Sequence, residues 1–469
     1  MDLAAAEKCE GECSRWRPII GGAGVLPVLL ARRGWVQLML RRRRWRRPEV
    51  HAMLQPLLTS PPLGGRNRQE VVTLMSSFSL KRRGESEERA TGPTPSLARI
   101  TTGLILTALT WLITRLVVAL DWGPARNPFN FNPSLWSHWD TANYLAIAAH
   151  GRKFGTCGDP GFPTFSRSIH TGWCGTAGWL PAYPISMRIL HMLGMTFSDA
   201  GLIISWIALA AAIFLIWFGW ARDLHPGRAL VLLLLFALFP GSVYNFALFP
   251  TSMALTFVVG SILAASRKRF LIAALLMTMA GVTYPSAWFA AVGLAVGLVV
   301  LAISDGAGVI ARRTLWGLAG LGAFAVLAIH DQVAFGHAEA YVLVQSHAGV
   351  KRLVFPGQPY LHHFDLDVLS LQAFESIFLA IGSAVVAAIS WRRSGRDATL
   401  LYPACVGVVV ILSLFIVDHA GTWNRSVILA APCVVCLRRL PLPLLCVLVV
   451  VVGVTGALIS RPFFTNYLV

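Results

Sequence analysis

One stretch of the chain carries residue types and spacings suited to chemistry: Ser137-His138-Trp139-Asp140-Thr141-Ala142-Asn143-Tyr144-Leu145-Ala146-Ile147-Ala148-Ala149-His150-Gly151. Tyr144, Ile147 and Ala148 recur at helical spacing and Gly151 is a C-terminal stop, which predicts a short amphipathic helix with Asp140 in its first turn. Two readings of Asp140 follow. Ser137-x-x-Asp140 matches a capping box, in which the acid satisfies backbone N–H groups and offsets the helix dipole. Alternatively, Asp140 is a general base beside a bilayer, flanked by His138 and Trp139. An apolar interface disfavours the charged carboxylate and tunes it for proton abstraction. Spacing by itself favours the cap.

What must position this segment is a membrane bundle. The 469 residues are 55% hydrophobic and 13% charged, more apolar surface than one soluble core can bury. A bilayer span takes about 20 apolar residues. Apolar runs recur at about 100–120, 199–220, 228–240, 252–265, 270–284, 286–303, 314–330, 370–390, 398–418, 425–437 and 441–460. The net charge of +18 does not mark a nucleic-acid partner, because its basic residues sit in short clusters between those runs. Eleven spans with a cytoplasmic N-terminus and an outer C-terminus place every tight cluster inside: Arg222 with Arg228, Arg267-Lys268-Arg269, Arg312-Arg313, Arg392-Arg393 with Arg396, and Arg438-Arg439. The expected fold class is all-α, a polytopic transmembrane helical bundle. The location that follows is an integral, multi-pass membrane protein, in the plasma membrane of a bacterium or the endoplasmic reticulum of a eukaryote.

Residues 1–98 read as a disordered, basic, cytoplasmic tail, with Arg41 to Arg44, Arg46, Arg47 and a charged run from Lys81 to Arg89. Met75 is an alternative start. The membrane domain is 99–469. Its outer side receives two long loops, 121–198 and 331–369, and short turns at 241–251, near Tyr284 and at 419–424. These hold most of the histidines and many acids, and long, chemically dense loops are where working sites lie. Cys157 and Cys174 share the first loop, where an oxidising exterior permits either a disulfide or two thiols. Arg115, near the outer end of the first span, is a functional candidate or a snorkelling charge. His362-His363-Phe364-Asp365-Leu366-Asp367 has metal-ligand residue types without metal-ligand spacing, so neither a metal nor a cofactor is expected.

Trp139-Asp140-x-x-x-Tyr144-Leu145-x-Ile147-Ala148-x-x-Gly151 resembles the signature of the PIG-V-like mannosyltransferases, membrane enzymes of the GT-C glycosyltransferase fold. Pro181-Ala182-Tyr183-Pro184, Phe239-Pro240-x-Ser242 and Gln345 ahead of Lys351-Arg352 and Pro356 are similar to later elements of that family, in the same order. The resemblance implies a GT-C-like bundle whose long first outer loop carries short helices. It implies sugar transfer, of mannose, from a polyprenyl-phosphate donor to a lipid or glycan acceptor on the non-cytoplasmic face. Asp140 is then the catalytic base. Arg152, Lys153, Lys351, Arg352 and Arg425 are cations for the leaving phosphate. His138, Trp139, Tyr144, Tyr183 and Gln345 complete the substrate-binding candidates, the aromatics stacking on sugar or prenyl chain. Two positions depart from the family. Its Tyr-Thr/Ser-Glu-Ser turn is Phe249-Pro250-Thr251-Ser252 here, without an acid, and its Thr-Arg-Pro is Thr283-Tyr284-Pro285, without an arginine. A lipid or glycan transporter, or a family member without activity, are the competing functions.

Overall fold

The computed structural model describes residues 97–120, 127, 130–159, 172–303, 307–347, 352–353, 368–394, 398–413, 415, 417–418 and 423–464. The tail at 1–96, Lys351 and the His362–Asp367 cluster lie outside them.

The described residues are predominantly helical, with four two-residue strands. In order it runs α1 (Leu97–Ala119), a 3-10 turn (Pro133–Trp136), α2 (Thr141–His150), β1 (Gly155–Thr156), β2 (Trp173–Cys174), α3 (Ala182–His191) and α4 (Phe197–Ile216). It continues with α5 (Pro226–Ala237), a 3-10 turn (Ser242–Asn245), α6 (Thr251–Ser266), α7 (Phe270–Gly281) and α8 (Ala287–Ala302). After these come α9 (Ala307–Ala319), α10 (Gly322–Phe335), α11 (Ala340–His347), β3 (Arg352–Leu353), α12 (Val368–Ser394) and α13 (Ala398–Ser413). The chain ends with β4 (Val417–Asp418), α14 (Trp423–Ser426), a 3-10 segment (Val427–Arg439) and α15 (Leu442–Phe464).

Each apolar run becomes a helical element, but among the described residues four helices have the length and composition to cross a bilayer: 97–119, 197–221, 371–393 and 442–464. A fifth is the pair 308–319 and 322–335, bent by 43°. The expectation of eleven full spans is therefore met only in element order. Helices such as 226–237 and 270–281 reach about 18 Å at ~1.5 Å per residue. The 3-10 segment Val427–Arg439 covers more with little chain, about 26 Å at ~2.0 Å per residue.

The surface shows which solvent surrounds the bundle. Leu104, Ile105 and Leu109 on α1, Phe374 and Phe378 on α12, and Val447, Val450 and Val454 on α15 are exposed. Inside lie Arg115, Thr110, Asp331, Gln372, Ser376 and Ser460, all fully buried. Apolar outside with polar groups inside suits hydrocarbon rather than water, and the protein is an integral membrane protein. The basic residues also hold helix ends together. Arg228 donates to the Arg438 carbonyl at 2.7 Å, and Arg438 donates to the Trp220 carbonyl at 3.1 Å. Both bonds satisfy C-terminal carbonyls that a helix leaves unpaired.

The turn expected at 241–251 is not a solvent-facing loop. Phe239 through Ser252 are buried without a break, folded inward with Gly241 in the left-handed conformation at φ 86°. The first outer loop is tied at its edge by the Cys157–Cys174 disulfide, with Cα atoms 4.9 Å apart. It joins β1 to β2, which pair antiparallel. Of the two possibilities for these cysteines, the bridge is the one formed.

Candidate functional site

The motif segment is held at both ends. The Leu248 N–H donates to the Trp136 carbonyl at 3.0 Å. Thr141 Oγ1 accepts from the His138 N–H at 3.1 Å and donates to the Leu248 carbonyl at 3.2 Å. This fastens the start of α2 to the buried turn. At its other end, Gly151 stops the helix at φ 80°, with its N–H on the Ile147 carbonyl at 2.8 Å. Arg188 from α3 donates to the Ala148 and Ile147 carbonyls at 2.8 and 3.2 Å. A cation there also complements the negative end of the helix. Nothing in the sequence marks Arg188, whose role depends on α3 packing against α2.

Asp140 sits at the N-cap of α2 but its carboxylate makes no cap bond. Ser137 Oγ donates backward to the Pro133 carbonyl at 2.8 Å. The capping-box reading is thus not the arrangement adopted. The Asp140 carboxylate is instead paired with the Arg425 guanidinium of α14, across 285 residues of chain. Their side chains are 25% and 15% exposed. The residue before Asp140 is also unusual. Trp139 takes φ 45°, which among the described non-glycine residues only Lys268 shares in sign. Such a conformation is sparsely populated and persists where surrounding contacts impose it.

Those contacts are aromatic. The Trp139 ring lies 5.3 Å from Phe463 of α15 and 6.3 Å from Tyr244. Phe249 packs on Tyr144 at 6.1 Å and Tyr244 at 5.5 Å, and Arg425 lies 5.8 Å over the Phe249 ring. Burial, then the Asp140 charge with Tyr284 and Tyr341, drive the Tyr144 hydroxyl well above its ordinary pKa, against the pull of Arg425. Burial likewise raises the Tyr244 hydroxyl, with Arg425 opposing. The four phenols stay neutral hydrogen-bonding groups around one carboxylate and one guanidinium. Of the two departures noted in the sequence, Tyr284 belongs to this wall, whereas Thr251, at the position of the acid, is buried and donates to the Tyr244 carbonyl at 2.9 Å.

The other predicted residues separate. His138 is half-buried, with Nε2 3.1 Å from the Leu135 carbonyl and its ring 4.7 Å from Phe463; it packs the loop against α15. Tyr183 is fully buried and its hydroxyl donates to the Gly201 carbonyl at 2.8 Å, 3.0 Å from Ser205 Oγ. That leaves no face for a sugar, and the expectation of stacking there is corrected to core packing.

Arg152 is also corrected. It forms a buried ion pair with Asp331 and donates to the Ala177 carbonyl, so its charge is already neutralised by α10. Gln345 Nε2 donates to the Gly178 carbonyl. Both residues therefore clamp the first outer loop to the second. Lys153 is exposed, and its backbone N–H donates to Thr176 Oγ1 at 2.9 Å. A side chain at Gly175 would strike the Lys153 carbonyl at 2.3 Å, so glycine is required at this crossing. Arg352 is placed only by its backbone, opposite Asp418 in the β3–β4 pair. Arg115 reaches the first loop, its guanidinium 3.7 Å over Trp136 and donating to the Asn130 carbonyl at 3.3 Å. Among the described residues no His/Cys/Asp/Glu group could hold a metal ion.

Tyr244 and Phe249 of the inward turn, Tyr341 of α11 and Phe463 of α15 were not legible as site residues, because these three segments meet the motif and Arg425 only in the folded chain. Tyr284 stood out only as a departure from the family.

No family model matches the chain, and no curated protein matches it. Among solved structures it is similar to the Archaeoglobus fulgidus oligosaccharyltransferase in its apo form, at 10% identity and a TM-score of 0.44. That similarity covers 72% of this chain and 50% of the other, so the chain spans about half the length of that enzyme. A likeness at this identity and score does not establish a shared fold.

Proposed function

We propose that the protein is a membrane glycosyltransferase of GT-C type, with its site at Asp140 on the non-cytoplasmic face of an eleven-pass, N-in/C-out bundle. The donor is a polyprenyl-phosphate sugar, mannose by the motif resemblance, and the acceptor a lipid or glycan hydroxyl. The observation that supports this most is the use made of Asp140. Its carboxylate is at a helix N-terminus yet does not cap it, and instead meets Arg425 within an aromatic wall.

The acceptor oxygen attacks the anomeric carbon of the donor, and its proton passes to the Asp140 carboxylate. The bond from that carbon to the phosphate oxygen breaks, and its electron pair leaves with the phosphate. Arg425 exchanges Asp140 for the departing phosphate, a planar fork suited to bidentate contact with either anion. In the resting protein the pair keeps two charges satisfied that would be costly beside hydrocarbon if single. Trp139 and Tyr144 are the motif aromatics nearest this exchange.

Membranes carrying the protein are incubated with radiolabelled mannose on a polyprenyl phosphate, and label is sought in lipid and glycan fractions. Transfer that depends on Asp140 supports the reading. Equal labelling by an Asp140→Asn variant at normal protein level overturns it.

A further inference from the structure

The site described so far does not use a second polar region, in the hydrocarbon-facing part of the bundle. Glu375 and Gln372 lie one turn apart on α12, both buried. Gln372 Oε1 accepts from the Gly241 N–H at 3.2 Å, and Glu375 Oε2 accepts from Thr455 of α15 at 2.7 Å. Ser242 follows Gly241, and Gly456 follows Thr455. The three elements therefore meet at one junction: α12, α15 and the inward turn. Among the described residues three buried polar atoms there find no partner, namely Gln372 Nε2, Glu375 Oε1 and Ser242 Oγ. Buried polar groups are ordinarily hydrogen-bonded, and an orphan calls for an explanation.

The junction also has room. Among the described residues a methyl group added at Gly456 would meet only Ser242 Oγ, at 3.6 Å, and one at Gly453 only Leu238, at 3.7 Å. Glycines that pack helices together behave differently: at Gly407 the same methyl would lie 2.5 Å from Cys433. The α15 glycines are therefore not close-approach positions, and Gly456 leaves space beside the Ser242 hydroxyl.

We propose that this junction binds the neutral, hydroxyl-bearing headgroup of a membrane lipid and is the acceptor subsite, which rests on the transferase reading above. A hydroxyl both donates and accepts, so it can meet Glu375 Oε1 and the Gln372 and Ser242 donors together. A phosphate is disfavoured, since Glu375 has no basic partner among the described residues. The lipid-facing side chains beside the junction are Leu371, Phe374 and Phe378 of α12 and Val451 and Leu458 of α15, all exposed. Gly456 lies seven residues before Phe463, the ring that packs on Trp139, or about 10 Å at ~1.5 Å per residue. The anchored hydroxyl and the reacting hydroxyl thus belong to different parts of one extended headgroup, and a diacylglycerol, with a single hydroxyl, probes the anchoring position alone.

The test uses full-length protein in phosphatidylcholine nanodiscs, a diacylglycerol with a diazirine on one acyl chain, and no sugar donor. Cross-linking should concentrate on α12 and α15 peptides and be displaced by unlabelled diacylglycerol but not by phosphatidic acid of the same chains. Ser242→Ala should lower it about fivefold, the weight of one hydrogen bond, and Gly456→Ala, whose methyl fills the space beside Ser242 Oγ, should lower it as well. Gly456→Ala keeps the fold, because its methyl meets nothing closer than 3.6 Å. Uniform labelling of all lipid-facing helices, labelling unchanged in both variants, or equal displacement by phosphatidic acid or phosphatidylethanolamine would each overturn the inference. Because no transfer is measured, a protein inactive as a transferase but labelled as expected would refute the function while leaving the site.

Discussion

At the residue scale, the pairing of Asp140 with Arg425 makes separate predictions for base and cation. Asp140→Asn should lower sugar transfer about a hundredfold or more, the usual cost of losing a positioned base. The same change at a helix cap would be mild, since asparagine caps well. Arg425→Lys keeps the charge but loses the fork, and should reduce transfer while preserving expression. Initial rates in membranes for both single variants and the double give the coupling. If Asp140 and Arg425 act in one step, the double variant falls little below the worse single. Tyr183→Phe is the contrasting case. Its hydroxyl bonds to Gly201 and Ser205 inside the core, so stability should drop by about 1 kcal/mol while transfer in membranes persists. A lost activity with unchanged melting temperature would return Tyr183 to the site.

At the element scale, the two outer loops are joined chiefly by Arg152 with Asp331 and by Gln345 with Gly178. The Arg152 and Asp331 side chains are 3% and 0% exposed, so screening by water is small. Asp331→Ala leaves a buried guanidinium without its counter-charge and should cost about 3 kcal/mol. Thermal unfolding in detergent or nanodiscs reads that loss. The Asp331 carboxylate also accepts the Tyr341 N–H at 3.3 Å, so the variant should additionally loosen the tyrosine wall and depress turnover. The Cys157–Cys174 bridge closes a short loop, of sequence separation 17. Replacing both with serine should cost about 3 kcal/mol in the chain-entropy account. Mass mapping of non-reduced protein should find the two peptides joined.

At the scale of the whole molecule, orientation decides whether the site meets a lipid-linked donor at the outer face. Single cysteines at the exposed positions His150 and Arg393, in a variant keeping only the bridged pair, should differ in labelling by an impermeant maleimide. In intact cells His150→Cys should react and Arg393→Cys should not. The opposite pattern would invert the bundle and remove the proposed function with it.

The sequence by itself determined that this is an apolar helical membrane protein and the order of its elements, and it singled out the Asp140 segment for its motif. Those properties are local: hydropathy over about 20 residues, basic clusters between runs, and a motif within 15 residues are all read along the chain. The bridged loop lay within reach for the same reason, as one of two open possibilities. Only the tertiary structure decided what Asp140 touches. On spacing, Ser137-x-x-Asp140 reads as a cap, but the carboxylate turns to Arg425, 285 residues away, because packing brings α14 over α2. The same physics separated the cations. Arg152 and Arg425 look alike in sequence, yet one is spent on Asp331 in a loop clamp and the other faces the motif. Helix lengths were also settled late. An apolar run specifies burial in hydrocarbon, but whether it becomes a long helix, a bent pair or a 3-10 segment depends on the neighbours it packs against. The polar junction beneath the site was invisible for that reason: Gln372, Glu375, Ser242 and Gly456 come from three separate elements, and their unmet hydrogen bonds exist only once those elements are assembled.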